Sequence, residues 1–217
     1  MKRFLYIIAS LFLGFSVNAQ SFLDEEGEPI PFALSKKYNN LIDLSKVKTC
    51  VLKTYNNDSL YVKYNKDFVS ASGDEIVGGF PIDTLINLKT KETKYEINEG
   101  TLWLYRIESK TAEMLYVEIK NFVMPEGAYI CIFPKKSELN VKGPKFFYKN
   151  DIASLPNIHG HQYGNQLFIE YFEPKGTSTS KNIILNKIVY IFAIGSRNIL
   201  KPKKVPPSKT GKIMLII

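Results

Sequence analysis

Cysteine, histidine and tryptophan are all scarce in this chain of 217 residues, which has two cysteines, two histidines and one tryptophan. The shortage removes several chemistries at once. A structural zinc site needs four closely spaced Cys or His ligands, and a small disulfide scaffold needs an even series of cysteines, so neither framework fits Cys50 and Cys131. No Gly-x-Ser-x-Gly or Gly-Asp-Ser-Gly-Gly sequence occurs, so a serine nucleophile on a strained turn has no local signature. Acidic residues are missing from both ends. Arg197, Lys201, Lys203, Lys204, Lys209 and Lys212 follow Gly195 without one Asp or Glu, and residues 20–196 carry 21 basic against 21 acidic groups. The net charge of +8 therefore belongs to the two ends. A body with no net charge lacks the basic face that phosphate neutralisation requires, which excludes nucleic acid as the expected partner.

Long apolar runs are missing too. Lys2 and Arg3 precede an apolar stretch over residues 4–15, and Ser16-Val-Asn-Ala19 places small residues at −3 and −1 of a cut before Gln20. This is the pattern of a secretory signal peptide over residues 1–19. A membrane span needs roughly 20 apolar residues, so the stretch is too short to anchor the chain, and no membrane span is expected after the signal is removed. The expected location is secreted, periplasmic or at the cell surface. An oxidising compartment permits a Cys50–Cys131 disulfide, while two isolated cysteines read equally as separate core residues; the sequence leaves both open.

What is abundant is β-forming sequence. Residues 101–108, 113–119, 128–133, 166–172 and 183–194 are runs rich in β-branched and aromatic residues. Glu99-Gly100, Pro125-Glu-Gly127, Gly143-Pro144, Gly160, Gly164 and Pro174-Lys-Gly176 punctuate them with turn residues. The spacing, without long helical periodicity between the runs, predicts an all-β chain: an antiparallel, jelly-roll-like β-sandwich over residues 45–196. Trp103, Ile107, Val117, Ile132, Phe168 and Tyr171 are expected to face inward. Residues 183–194 are almost continuously apolar, so that strand is expected to be covered on both faces, by a central position or by a partner. Residues 20–44 form an N-terminal arm in which residues 32–44 carry a short helical stripe of Leu34, Tyr38, Leu41 and Ile42, with Asn39-Asn40 as an alternative end. Residues 197–217 read as a basic, Pro- and Lys-rich tail.

Few residues suggest chemistry. His159 and His161, two apart on an extended segment, would reach one face, but no third or fourth metal ligand is nominated and Gly160 between them favours a turn. Glu170 and Glu173 fall on opposite faces of a strand and so cannot share an acid–base task. Trp103, set among Leu102, Leu104 and Ile107, reads as core in preference to a sugar platform. Ser196 follows Gly195 without a flanking glycine and reads as a surface residue. Ser178 and Ser180 lie in a loop-like stretch. No catalytic, cofactor-binding or metal-binding residue is assigned.

The ordered set Gly100-Thr-Leu-Trp-Leu-Tyr-Arg-Ile-Glu-Ser109, Ala112, Leu115, Met124-Pro-Glu-Gly-Ala128, Gly143-Pro144 and Gly164-Asn-Gln-Leu-Phe-Ile-Glu-Tyr-Phe-Glu-Pro174 resembles the non-catalytic N-terminal region of secreted lysyl-endopeptidase-like, trypsin-type serine protease precursors. Leu41-Ile-Asp-Leu-Ser45, Asn57-Asp58 and Gly78-Gly79 extend the likeness over most of residues 30–195. It implies a β-sandwich that precedes a protease and is separated from it on maturation. The chain departs from that pattern at Asn165, where the family usually has Asp, in a shortened loop around residues 159–163, and in lacking the catalytic half. Lys212-Ile-Met-Leu-Ile-Ile217 reads as what a frame disruption would leave. The expectation is a non-enzymatic accessory region or prodomain, truncated or stand-alone, whose partner is a trypsin-like protease domain. The alternative is a secreted sandwich that binds a glycan or another extracellular protein. No cofactor is expected.

Overall fold

A computed structural model of the chain describes residues 22–23, 29–64, 77–120, 122–135, 143–149, 155, 157–179 and 181–194. The predicted signal peptide, Ser180, Ser196 and the basic tail lie outside these residues. Twelve strands and one α-helix are present among them: β1 (Phe22–Leu23), β2 (Pro29–Ile30), β3 (Thr49–Val51), α1 (Asn57–Tyr64), β4 (Val77–Asn87), β5 (Lys94–Glu96), β6 (Gly100–Glu108), β7 (Met114–Lys120), β8 (Tyr129–Pro134), β9 (Lys145–Tyr148), β10 (Ile158–Tyr163), β11 (Gln166–Pro174) and β12 (Ile184–Ile194). The fold is all-β in class. Strands β10-β7-β12-β4 form one sheet, and β3-β6-β11-β8-β9, with β5 also on β6, form a six-stranded one; β1 and β2 pair separately. Every pairing is antiparallel except β3 with β6.

One apolar cluster draws on both sheets. Trp103, Tyr105 and Ile107 from β6, Ile130 and Ile132 from β8, and Leu167, Ile169 and Tyr171 from β11 pack with Leu115, Val117 and Ile119 from β7 and Ile188, Tyr190 and Phe192 from β12. The alternation of β7 explains its half: Leu115, Val117 and Ile119 are buried while Tyr116 and Glu118 look out. Trp103 stacks on Tyr171 at 5.4 Å between centroids, as expected of a core residue.

The six-stranded sheet is buried on its other face as well. Leu102, Leu104, Tyr129, Cys131, Phe133, Phe168 and Phe172 form a second cluster with Phe32, Ala33, Tyr38, Ile42 and Val47 of the arm. Phe168 is thus buried, but beneath the arm, and not between the sheets as expected. The reason is parity: Phe168 cannot share a face with Tyr171 on one extended strand. Cys131 belongs to this outer cluster, whereas Cys50 packs against the inner one. The two thiols lie on opposite faces of one sheet and both are free.

The arm also departs from expectation. Its helical stripe is three separate 3-10 turns, Phe32–Leu34, Lys36–Tyr38 and Leu44–Lys46. Ser35 stands between the first two in extended backbone, its hydroxyl accepting from Lys37 N–H, which interrupts a continuous helix. Leu41 is left exposed. Residues 158–163 differ as well, forming strand β10 in place of a turn. Gly160 faces inward there, where an added Cβ would come within 2.1 Å of Ile132 Cδ1. The glycine serves close packing, while Gly127, Gly164 and Gly176 are the positions with positive φ.

Candidate functional site

The run Asn56-Asn-Asp-Ser59 opens helix α1 as capping residues do, with Asn56 Oδ1 accepting from Ser59 N–H at 2.9 Å. This places residues 54–58 against the β6–β7 turn. In that turn Ser109 Oγ accepts from the N–H groups of Thr111 and Ala112, presenting Thr111 toward the helix. Between them lies a solvent-open cavity of about 660 Å³ lined by Thr54, Tyr55, Asn56, Asn57, Asp58 and Thr111.

Tyr190 lies behind the lining and anchors it. Its ring belongs to the core and packs on Tyr55 and Phe80 at centroid distances of 4.9 and 5.3 Å. Its hydroxyl donates to Asn57 Oδ1 at 2.5 Å and stands 2.8 Å from Thr111 Oγ1. Since the single tyrosine proton goes to Asn57, Thr111 donates to Tyr190 and accepts from Tyr55 N–H. Asn57 Nδ2 closes the ring of contacts by donating to the Thr111 carbonyl at 2.5 Å. Burial raises the Tyr190 pKa, so the hydroxyl keeps its proton. The floor is a satisfied, rigid network, while Thr54 Oγ1 and Asn56 Nδ2 have no intramolecular partner among the described residues.

His159 and His161 do reach one face, the outer side of the four-stranded sheet. His159 lies opposite Glu118 and His161 opposite Tyr116. The Tyr116 hydroxyl hydrogen-bonds His159 Nδ1, and Glu118 Oε2 lies 3.9 Å from the same nitrogen. Glu118 is held by Asn186 Nδ2 and by Lys120, and the Asn186 bond keeps its carboxyl below the usual range. No group of three His, Cys, Asp or Glu with metal-binding spacing occurs among the described residues.

Glu170 and Glu173 occupy opposite faces. Glu170 is fully buried under the arm and accepts from Phe32 N–H (2.9 Å), Ala33 N–H (2.8 Å) and Tyr129 OH (2.6 Å). Burial pushes its carboxyl up to about 7. Glu173 is buried on the face of β11 that carries Tyr171, where it pairs with Lys89 Nζ at 2.7 Å and accepts from Tyr171 OH. Lys89 in turn sits 4.7 Å over the Trp103 ring. Both carboxylates are structural anchors with their capacity already used. The cysteines are also poor nucleophiles, because burial raises both thiols.

Sequence reasoning missed the cavity. Its usable signal was Asn56-Asn-Asp-Ser59, a helix-start pattern inside a chain read as strands. Asn57-Asp58 entered only through the family resemblance. No family model matches the chain, and a search of curated proteins found no match.

Proposed function

We propose that this chain is an exported, non-catalytic jelly-roll β-sandwich that acts by binding. The sandwich is supported by the shared cluster between the sheets and by strand order. The chain crosses between sheets so that β4-β12-β7-β10 faces β6-β11-β8-β9, the order that folding a paired antiparallel ribbon onto itself produces. No helix among the described residues is long and apolar enough to cross a membrane. The arm is a third layer over one outer face.

The observation that carries the binding reading is the open, polar cavity between α1 and the β6–β7 turn, whose floor is fixed and whose rim keeps free hydrogen-bonding groups. The family resemblance supplies a trypsin-like protease domain as one partner. An exposed apolar β12 would have favoured it, but β12 is central, and Ile188, Val189, Tyr190, Ile191 and Phe192 are buried. An extracellular glycan or protein is therefore the ligand we place first. Fold alone assigns neither.

The test uses the mature chain with a chromogenic lysyl ester, a panel of neutral polysaccharides and an active-site-blocked, lysine-specific trypsin-type domain. No ester turnover, and a rise in thermal midpoint with a polysaccharide or the blocked domain, are expected. Turnover, or no shift with either partner, overturns the proposal. N-terminal sequencing of exported material should begin at Gln20, and a retained Met1 would count against export.

A further inference from the structure

We infer that the arm over residues 31–47 is a releasable strap that opens as a unit from the outer face of the six-stranded sheet while the two sheets stay folded, its closure governed by the protonation of Glu170. The backbone of the arm makes this possible. Among the described residues, every backbone–backbone bond of residues 31–46 stays inside the arm: Leu34 N–H donates to Pro31, Ser35 to Phe32, Tyr38 to Ser35, Leu41 and Ile42 to Tyr38, and Lys46 to Asp43. The chain first joins the sheet at Lys48, whose carbonyl accepts from Arg106 N–H at 2.9 Å just before β3. The arm can therefore leave without breaking its pairing to any strand of the sheet, with Val47 and Lys48 as the hinge. A unit with so few bonds to the rest of a fold opens at a lower free energy than the core.

Apolar side chains and two carboxyl groups of the body hold the arm down. Phe32, Ala33, Tyr38, Ile42 and Val47 share one buried cluster with Leu102, Leu104, Phe168 and Phe172 of the sheet, which makes the closed arm the dominant state. The first carboxyl is Glu99, which accepts from Lys37 Nζ and the Tyr38 hydroxyl. Burial opposes its ionisation but these two bonds outweigh it, while the bond to Glu99 pushes Lys37 up and burial pushes Tyr38 up. That contact is therefore constant around neutral pH. Glu170 is the variable one. It accepts from the Phe32 and Ala33 amides, which stand at the start of the first 3-10 turn, where a helical turn offers no acceptor of its own.

Nothing around Glu170 balances its charge. On β8 stand the Tyr129 hydroxyl, which donates to it at 2.6 Å, and Cys131, its partner in register; on β6 its partner is Leu104. Burial pushes both Tyr129 and Cys131 up, so neither ionises near neutral pH. No cation among the described residues pairs with it, and burial raises its carboxyl from 4.5 to about 7 against its three donors. Release of the arm admits water and returns the carboxyl toward its ordinary range. The closed arm thus binds the proton more tightly than the open one. Closure is strongest below about pH 4.5 and weakens as pH rises through about 7. Opening also uncovers the Cys131 thiol, which is fully buried in the cluster beneath the arm and supplies a built-in reporter.

The experiment follows hydrogen exchange and thiol labelling of the mature chain from pH 5 to pH 8, each rate taken relative to that of the unfolded chain at the same pH. The amides of Phe32, Ala33, Ser35, Tyr38 and Ile42 should share one protection level, below that of Ile169 and Tyr171 on β11. Dilute urea should leave that level nearly unchanged, because a local opening exposes little surface. Arm protection should fall about 10-fold or more between pH 5 and pH 8 in the wild type and stay level in Glu170→Gln. Tyr129→Phe, which removes a donor to the carboxylate, should extend the fall to higher pH. In a Cys50→Ser background, a small maleimide should label Cys131 at a rate that follows the arm amides. Arm amides that exchange at the β11 level and with its urea dependence would overturn the inference, since the arm would then open only with the whole fold. A wild-type protection that does not change with pH, an equal fall in Glu170→Gln, or Cys131 labelling that follows β11 would overturn it as well.

Discussion

Glu170 gives the sharpest prediction about this molecule. It is a fully buried carboxyl whose three hydrogen-bond donors are fixed by the fold: two arm amides and the Tyr129 hydroxyl. Desolvation outweighs those donors and raises its pKa from 4.5 to about 7. The folded state therefore holds the proton more tightly than the unfolded state. The stability this contributes is full below about pH 4.5 and is lost as pH rises through about 7. At about 1.4 kcal/mol per pH unit between the two values, the loss amounts to about 3 kcal/mol. The neighbouring Tyr129 and Cys131 are both pushed further up by burial, so neither ionises in this range. In the β5–β6 turn, burial opposes ionisation of Glu99, but the bonds from Lys37 and Tyr38 of the arm outweigh it, and Glu99 is charged throughout.

The assay is urea unfolding of the wild type and Glu170→Gln at half-unit steps from pH 4.5 to 8.5. The variant cannot ionise, so it serves as the baseline for both histidines and for every other titrating group. Its amide nitrogen meets one of the inward-pointing donors, and that mismatch should destabilise it by about 1–3 kcal/mol at low pH. The wild type should lead at pH 4.5, and its lead should shrink by about 3 kcal/mol by pH 8 at constant m-value. A lead that stays flat or grows with pH would refute the reasoning. The protection of the Phe32 and Ala33 amides, relative to their intrinsic exchange rate at each pH, should fall over the same interval in the wild type alone.

Three further outcomes follow from the packing. Trp103→Ala should destabilise by about 3–5 kcal/mol in urea melts, since it empties a 7%-exposed site in the apolar cluster to which both sheets contribute. Gly160→Ala should cost about 1–3 kcal/mol because its Cβ meets Ile132 Cδ1, and Ile132→Val, which deletes that atom, should recover most of the loss in the double mutant. Lys89→Met should cost about 3–5 kcal/mol by stranding the Glu173 carboxylate; Lys89→Met paired with Glu173→Gln should be the milder change.

The strands legible in the sequence were those with dense β-branched and aromatic content, β6, β7, β8, β11 and β12. Strands β4 and β10 were not, because each carries residues that normally signal a break. Gly78 and Gly79 in β4 make room for the Phe192 and Ile191 side chains, and Pro81 is tolerated because β4 is a sheet edge. Nothing local to residues 77–87 reports that β12 fills the missing side-chain volume. The face of Phe168 was hidden for a related reason. The six-stranded sheet is buried on both sides, so β11 reads as one apolar run and its alternation disappears. The arm looked helical because its stripe of Leu34, Tyr38 and Ile42 is real. What breaks it is Ser35, whose extended backbone separates the first two turns, while the Glu170 carboxylate, 137 residues from Ala33 in sequence, accepts from the first two amides and seats the first turn.

The cavity was the least legible feature, and its origin explains why. Asn57, Thr111 and Tyr190 each have an ordinary local reading: a helix start, a turn residue and a member of an apolar strand. Only when β12 lies beside β7 does the Tyr190 ring enter the core with its hydroxyl emerging between α1 and the β6–β7 turn. A polar group at the end of a core side chain must find a partner where it surfaces. Asn57 and Thr111 provide that partner, and in doing so they leave the next residues along, Thr54 and Asn56, with groups still open to solvent. A concave polar surface is thus a by-product of satisfying one buried tyrosine, and any ligand-binding role is built from the groups that the tyrosine did not need.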